Sequence, residues 1–249
     1  MRVLFVGDIV GKAAVKTVET ILPTLRGKRM IDFIIVNGEN SSENNGITPE
    51  IAERLHFAGA DVITTGNHAF RQKSSHAFFD DCEYLVRPAN FPSNDPGMGF
   101  IFVETAFGKV CVLNLAGKLF MDSDENPFFT ADRILSKITA DYIFVDFHAE
   151  ATSEKRALGY FLDGRVSAVF GTHTHVQTSD EQILPLGTGY ITDVGMVGGK
   201  NSVLGLRKED AIRKFTSHIG VRYSQDENEI FFQSVLFDTD KKEIERINI

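Results

Sequence analysis

Three short apolar runs near the start of the chain each end in polar punctuation, and they recur at similar intervals. Val3–Val6 is followed by Gly7-Asp8, Ile31–Val36 by Asn37-Gly38-Glu39-Asn40, and Asp61–Thr65 by Gly66-Asn67-His68. Asp8, Glu39 and Asn67 stand 31 and 28 residues apart, close to the ~30 residues of a strand–helix–strand unit. Continuous β-branched runs of this kind suit strands buried on both faces of a sheet. Between them, Val15–Leu25 and Pro49–Phe57 have helical spacing, and Thr48-Pro49-Glu50 reads as a helix start with proline in the first turn. Each polar residue therefore lands at the carboxyl end of a strand, where open α/β sheets place their ligands.

The middle of the chain changes character. Gly99–Ala106 and Lys109–Leu115 read as a hairpin around Phe107-Gly108, although Phe-Gly is not a preferred turn pair. Phe129–Ile138 has helical spacing, and Asp141–Phe147 is a buried-type strand ending at His148. Thr152–Leu162 reads as a helix with Thr152 as its cap, and Val166–Phe170 as a strand ending in Gly171-Thr172-His173-Thr174-His175. Ile183–Pro185 and Gly189–Thr192 are strand-like. Ile230–Phe237 and Lys242–Ile247 form a terminal antiparallel pair. No Pro/Gly/Ser linker divides the chain. The expected fold class is α/β, a single domain over residues 1–249 with two packed mixed β-sheets flanked by helices.

Composition bounds the function. The chain carries 26 basic and 34 acidic side chains, a net charge of −8, which argues against a duplex DNA surface built from clustered Lys and Arg. A phosphate-bearing substrate held by metal ions stays open, because the ions bring their own positive charge. Two cysteines, Cys82 and Cys111, are too few for a disulfide framework and read as small buried hydrophobes. The first apolar run is too short for a signal-peptide core, and no stretch approaches the ~20 apolar residues of a membrane span. The cytoplasm is the expected compartment, with no membrane partner.

The chemistry-bearing residues at strand ends are Asp8, Glu39, Asn40, Asn67, His68, His148, His173 and His175. Carboxylates, amides and imidazoles without thiolates suit Mn²⁺, Fe or Zn²⁺. Taken singly, each has a bland reading. His173-x-His175 alone would be two surface residues, Gly-Asn-His a left-handed turn, and Asp8 a helix cap. Two imidazoles two positions apart on an extended strand would share a face. Taken together, five segments deliver metal-type side chains directly after apolar runs, and most are preceded by glycine. Eight such groups exceed what one four-coordinate ion needs. Two ions sharing a carboxylate, ~3.5–4 Å apart as in phosphatases and nucleases, would account for them.

The set Asp8, Gly38-Glu39-Asn40, Gly66-Asn67-His68, His148 and Gly171-Thr172-His173-Thr174-His175 resembles the calcineurin-like metallophosphoesterase superfamily, whose pattern is D-x-H, G-D-x-x-[DE], G-N-H-[ED], a lone H and G-H-x-H. Val10, Glu39 and Ala69 depart from it. Those departures are similar to a bacterial branch, the 2′,3′-cyclic-nucleotide 2′-phosphodiesterase or YmdB-like family. Gly7-Asp8-Ile9-Val10-Gly11, the stretch from Val145 to Lys155, and Thr192-Asp193-Val194-Gly195-Met196 share the resemblance, which runs from residue 1 to about residue 215.

The resemblance implies a four-layer αββα metallophosphoesterase sandwich and two divalent metal ions, iron or manganese. One ion would be held by Asp8, Glu39, Asn40 and His175, and the other by Glu39, Asn67, His148 and His173, with Glu39 bridging. A metal-bridging hydroxide would attack phosphorus, and His68, outside the ligand shell, would protonate the departing 2′-oxygen. An imidazole titrates close to neutrality and suits that task. The implied reaction is hydrolysis of nucleoside 2′,3′-cyclic phosphates to 3′-nucleotides. The substrate would be a small nucleotide, with RNA ends as a further candidate. Alternatives are a phosphomonoesterase, a broader cyclic-nucleotide phosphodiesterase, and a regulatory nucleotide- or RNA-binding module with low turnover. Phe100, Phe102, Phe128 and Phe129 suit a core or an interface equally, which leaves a homo-oligomer open.

Other signals carry less. Gly7-x-x-x-Gly11-Lys12-Ala13 is one residue short of a phosphate-binding P-loop and has alanine where the hydroxyl belongs. His56, His76 and His218 have no motif partners. Asp146 and Glu150 flank His148 and read equally as orienters of that imidazole or as surface acids. The glycines of 187–189 and 194–199 read as turns ahead of a close approach to a substrate's phosphate or base, and Arg207-Lys208 with Arg213-Lys214 as a solvated helix face ahead of an RNA patch.

Overall fold

Alternation along the first strand, β1 (Arg2–Val6), shows how the layers arise. Val3 and Phe5 join a buried cluster with Phe33, Ile35, Val112, Phe144 and Phe170, residues of both sheets. Leu4 and Val6 point the opposite way and join a cluster containing Val15, Val18, Leu22, Ile51 and Leu55, which belong to helices. A third cluster, with Leu113, Val145, Phe147, Leu158 and Leu162, covers the outer face of the second sheet. Period-2 strands buried on both faces therefore yield the order helices, sheet, sheet, helices.

The computed structural model describes residues 1–249. After β1 come β2 (Asp8–Ile9), α1 (Gly11–Arg29), β3 (Phe33–Asn37), α2 (Pro49–Phe57), β4 (Val62–Thr64) and α3 (His76–Asp81). Then follow β5 (Phe100–Thr105), β6 (Gly108–Ala116), α4 (Pro127–Leu135), β7 (Tyr142–His148), α5 (Thr152–Phe161) and β8 (Ala168–Thr172). The last elements are β9 (Gln182–Ile183), β10 (Gly189–Ile191), β11 (Met196–Gly199), α6 (Lys208–Thr216), β12 (Ile230–Asp238) and β13 (Glu243–Asn248). One sheet runs β2-β11-β12-β1-β3-β4, with β13 also on β12, and the other runs β5-β6-β7-β8-β10-β9. Both mix parallel and antiparallel pairs. The expected α/β architecture of two packed mixed sheets forms, and no helix is long and apolar enough to cross a membrane.

Several elements differ from the sequence reading. α1 extends four residues before and four beyond Val15–Leu25 and contains Pro23. That proline lies on the exposed side, where the carbonyl it leaves without a partner can reach water. The β5–β6 hairpin turns at Ala106-Phe107, because Thr105 Oγ1 accepts from the Phe107 N–H and donates to the Gly108 carbonyl. Thr152 does not cap α5, whose cap is Ala151. Glu154 instead accepts from the backbone N–H groups of Lys118 and Leu119. The glycines of 196–199 do not form a turn. They lie in β11, which pairs with Asp8–Ile9 and fixes the direction of the Asp8 side chain. Cys111 is buried and Cys82 only partly so.

Candidate metal centre

Each sequence-predicted residue sits at or just past a strand end, and the structure brings all eight into one network. Asp8 lies in β2, Glu39 and Asn40 follow β3, Asn67 and His68 follow β4, His148 ends β7, and His173 and His175 follow β8. Asp8 is not a helix cap: α1 is entered at Val10 without a side-chain cap. Two glycines permit the convergence. A Cβ at Gly66 would stand 2.2 Å from His148 Cδ2, so only glycine lets that ring lie against the Gly66-Asn67-His68 turn. A Cβ at Gly171 would meet the Thr192 carbonyl oxygen at 1.8 Å, which is where β8 packs on the next connection.

The contacts run continuously through the set. His175 Nε2 is 3.1 Å from Asn40 Nδ2 and 3.5 Å from Asp8 Oδ1. Asp8 Oδ2 accepts from the His173 backbone N–H at 3.1 Å. His173 Nδ1 is 3.0 Å from His148 Nε2, which also lies 3.1 Å from Asn67 Oδ1 and 3.7 Å from Glu39 Oε1. The His68 backbone N–H donates to Glu39 Oε1, and His68 Nδ1 is 3.2 Å from the same oxygen. The two imidazoles of His173-Thr174-His175 do not share a strand face as expected. Both residues lie past β8 with positive φ, 97° and 63°, so the chain bends and sends the rings to different partners.

Outer hydrogen bonds decide which ring nitrogens carry protons. His175 Nδ1 is 3.0 Å from the Leu204 carbonyl, which only accepts, so this nitrogen donates and Nε2 is the atom turned toward Asp8 and Asn40. Thr172 Oγ1 donates to Asp146 Oδ1 at 2.7 Å, so it accepts from His148 Nδ1 at 2.9 Å and leaves Nε2 unprotonated. His173 Nε2 is 3.0 Å from Glu150 Oε2, which leaves Nδ1 as an acceptor. Asp146 is therefore a buried orienter acting through Thr172, and Glu150 orients His173 from the surface. Sequence reading left both roles open and missed Thr172, Asn37 and Thr64, whose side chains also donate into this set around Asp146.

This donor set fits cations. Lone pairs of His148 Nε2, His173 Nδ1 and Asn67 Oδ1 face one another, and burial pushes both imidazoles below their usual pKa, which disfavours a proton there. Asp8 and Glu39 are fully buried, and their ion-pair partners are all imidazoles, with no Lys or Arg among them. Burial raises the Glu39 carboxyl despite His68, and Glu39 Oε2 has no hydrogen-bond partner. Burial also acts against the Asp8 carboxylate, but His175, His148 and the His173 N–H outweigh it and hold Asp8 well below the usual range. His175 is raised: the charge and hydrogen bond of Asp8 overcome the effect of burial. Burial pushes Asp146 up to about 7 against the hydrogen bonds of Thr64, Thr172 and Asn37. As the side chains stand, no three acidic, imidazole or thiol groups surround a common point. The donors touch in pairs, and an ion would have to part them, with Asn40 turning its Oδ1 inward in place of Nδ2.

Comparison with known proteins gives the family of the chain. The family described as YmdB-like protein matches residues 4–249. The chain belongs to the YmdB-like family. A Bacillus subtilis relative, the 2′,3′-cyclic-nucleotide 2′-phosphodiesterase, is 45% identical, with 100% of this chain and 97% of that protein covered. The crystal structure of a Mycoplasma pneumoniae protein described as a novel phosphatase superposes with a TM-score of 0.92 at 35% identity, covering 100% of this chain and 93% of that one. A Thermus thermophilus crystal structure reaches 0.95 at 37% identity, covering 100% and 99%.

In this YmdB-like chain the site opens into a cleft of about 910 Å³. Asn40, His68, His173 and His175 line its floor alongside Asn45, and Lys12, Arg71, Arg222 and Tyr223 also border it. His68 is part-exposed there, with Nε2 3.5 Å from Asn45 Nδ2. His56, His76 and His218 do not line the cleft: His56 stacks on Tyr84, and His76 bonds to the Phe70 carbonyl.

Proposed function

We propose that this chain is a metal-dependent phosphodiesterase that hydrolyses nucleoside 2′,3′-cyclic phosphates to 3′-nucleotides. The observation that carries the reading is the fully buried pair Asp8 and Glu39, without a Lys or Arg partner, set among imidazoles of which His148 and His173 turn unprotonated nitrogens inward. The activity named for the B. subtilis relative supplies the substrate class. Asp8, Glu39, Asn40 and His175 would hold one ion and Glu39, Asn67, His148 and His173 the other, with Glu39 common to both. Iron and manganese both suit this oxygen and nitrogen set. Bound there, such ions lower the pKa of water toward neutrality and neutralise charge on phosphoryl oxygens.

The residues around the ions divide the remaining work. Thr172 and Glu150 fix the two imidazole tautomers, so that lone pairs and not N–H groups face inward. His68 touches Glu39 through Nδ1 and turns its other nitrogen to the cleft, where it can donate a proton to the departing 2′-oxygen. Lys12 and Arg71 border the cleft as cations for an anionic substrate. The phosphatase description of the M. pneumoniae structure favours a second reading, a phosphomonoesterase. Chelator-stripped protein should be inert and regain hydrolysis of 2′,3′-cAMP with Mn²⁺ or Fe²⁺. Full activity without metal would sink the proposal, and a preference for p-nitrophenyl phosphate would favour the second reading.

A further inference from the structure

Two segments outside the candidate ligand set meet beneath the His173-Thr174-His175 turn. Lys155, on α5, is 1% exposed, and its Nζ donates to Oδ2 of the fully buried Asp193 at 2.7 Å. The same carboxylate oxygen accepts from the backbone N–H of Thr174 at 3.0 Å and from its hydroxyl at 2.8 Å. Asp193 Oδ1 accepts from the Gly195 N–H at 2.8 Å, which fixes the orientation of the whole group. Desolvating a Lys–Asp pair is costly, and apolar residues would fill the same space at least as well. A local reason for the pair lies in the backbone above it. His173 and His175 are held at φ 97° and 63°, a region disfavoured for side chains with a Cβ unless the surroundings enforce it. Thr174 is the residue between them, and one carboxylate oxygen grips it at two points.

We propose that Lys155 and Asp193 form a buried brace that fixes Thr174 and thereby presents His173 and His175 to opposite ends of the metal site. Both are positioning residues. Lys155 keeps Asp193 aimed, Asp193 holds the bend, and the bend directs one imidazole to His148 and the other to Asp8. Without the brace the turn would relax toward negative φ and the two rings would lose their separate partners. This inference rests on the metal reading above.

The probe is Mn²⁺ alone, its affinity measured by chelator competition on the full chain, with the thermal midpoint of stripped protein recorded beside it. Lys155→Met/Asp193→Leu removes the grip without leaving a lone buried charge, and should weaken Mn²⁺ binding roughly 10–100-fold. Thr174→Val should weaken it in the same direction and less, because the backbone N–H contact survives, and Thr174→Ser should restore wild-type affinity. If the double variant does not fold, the Thr174 pair decides alone. Variants that bind Mn²⁺ as the wild type does, whatever their midpoints, overturn the brace. A wild type that takes up no Mn²⁺ overturns the metal reading itself, a different result.

Discussion

The candidate site has two halves built in different ways. His148 ends a regular strand: β7 pairs with β6 and β8 on either side, its ring is fully buried, and the Thr172–Asp146 relay holds its tautomer. His173 and His175 lie past the end of β8, on a bend with positive φ at both histidines, held from below by Lys155 and Asp193. The first half is placed by sheet register and the second by side chains from distant parts of the chain. A ligand at a strand end comes almost free with the fold. A side chain on a strained bend needs support from elsewhere in the chain.

Variants can break or sharpen this contrast. The largest effect is expected for His148→Ala, which removes the strand-borne imidazole. Its kcat/KM should fall beyond the ~10²–10³-fold that loss of a single transition-state donor costs, and a steady-state assay showing less would shift weight to the bend. Next comes Lys155→Met, which strands the Asp193 carboxylate inside the protein. Urea unfolding should show a loss of about 3–5 kcal/mol, and a loss below ~1 kcal/mol would mean that the pair is not truly desolvated. Asp146→Asn acts on the strand half through Thr172. It should lower metal affinity roughly 10–100-fold while leaving the bend intact, and chelator competition reads that directly. Smallest of all, Arg29→Ala removes a surface ion pair to Glu245 that touches neither half. Its unfolding free energy should change by less than ~1 kcal/mol with unchanged turnover.

The same contrast explains what was legible in the sequence. Apolar runs ending in Gly-Asp, Gly-Glu-Asn, Gly-Asn-His and a lone His are local signals, so strand ends and the polar residues that gather there could be read directly, together with the two-sheet architecture. Gly66 hinted at a turn, but its actual reason, the His148 ring occupying the place of a Cβ, involves a partner far along the chain. Asp146 looked as much like a surface acid as an orienter, because only the paired strands β7 and β8 bring Thr172 beneath it. The helical extension of α1 and the short strand β11 escaped because propensity signals around Pro23 and the glycines of 196–199 point away from them, and tertiary pairing prevailed. His173 and His175 do lie among the other candidates, but the expectation that they share a face assumed an extended backbone that the positive φ values rule out.

Elemental analysis of the protein as purified bears most directly on whether these buried acids, amides and imidazoles are a metal centre. The account predicts about two equivalents of iron or manganese per chain, falling when His148 or Asn67 is replaced by alanine. A well-folded wild type carrying no transition metal, and gaining none on incubation with Mn²⁺ or Fe²⁺, would contradict it.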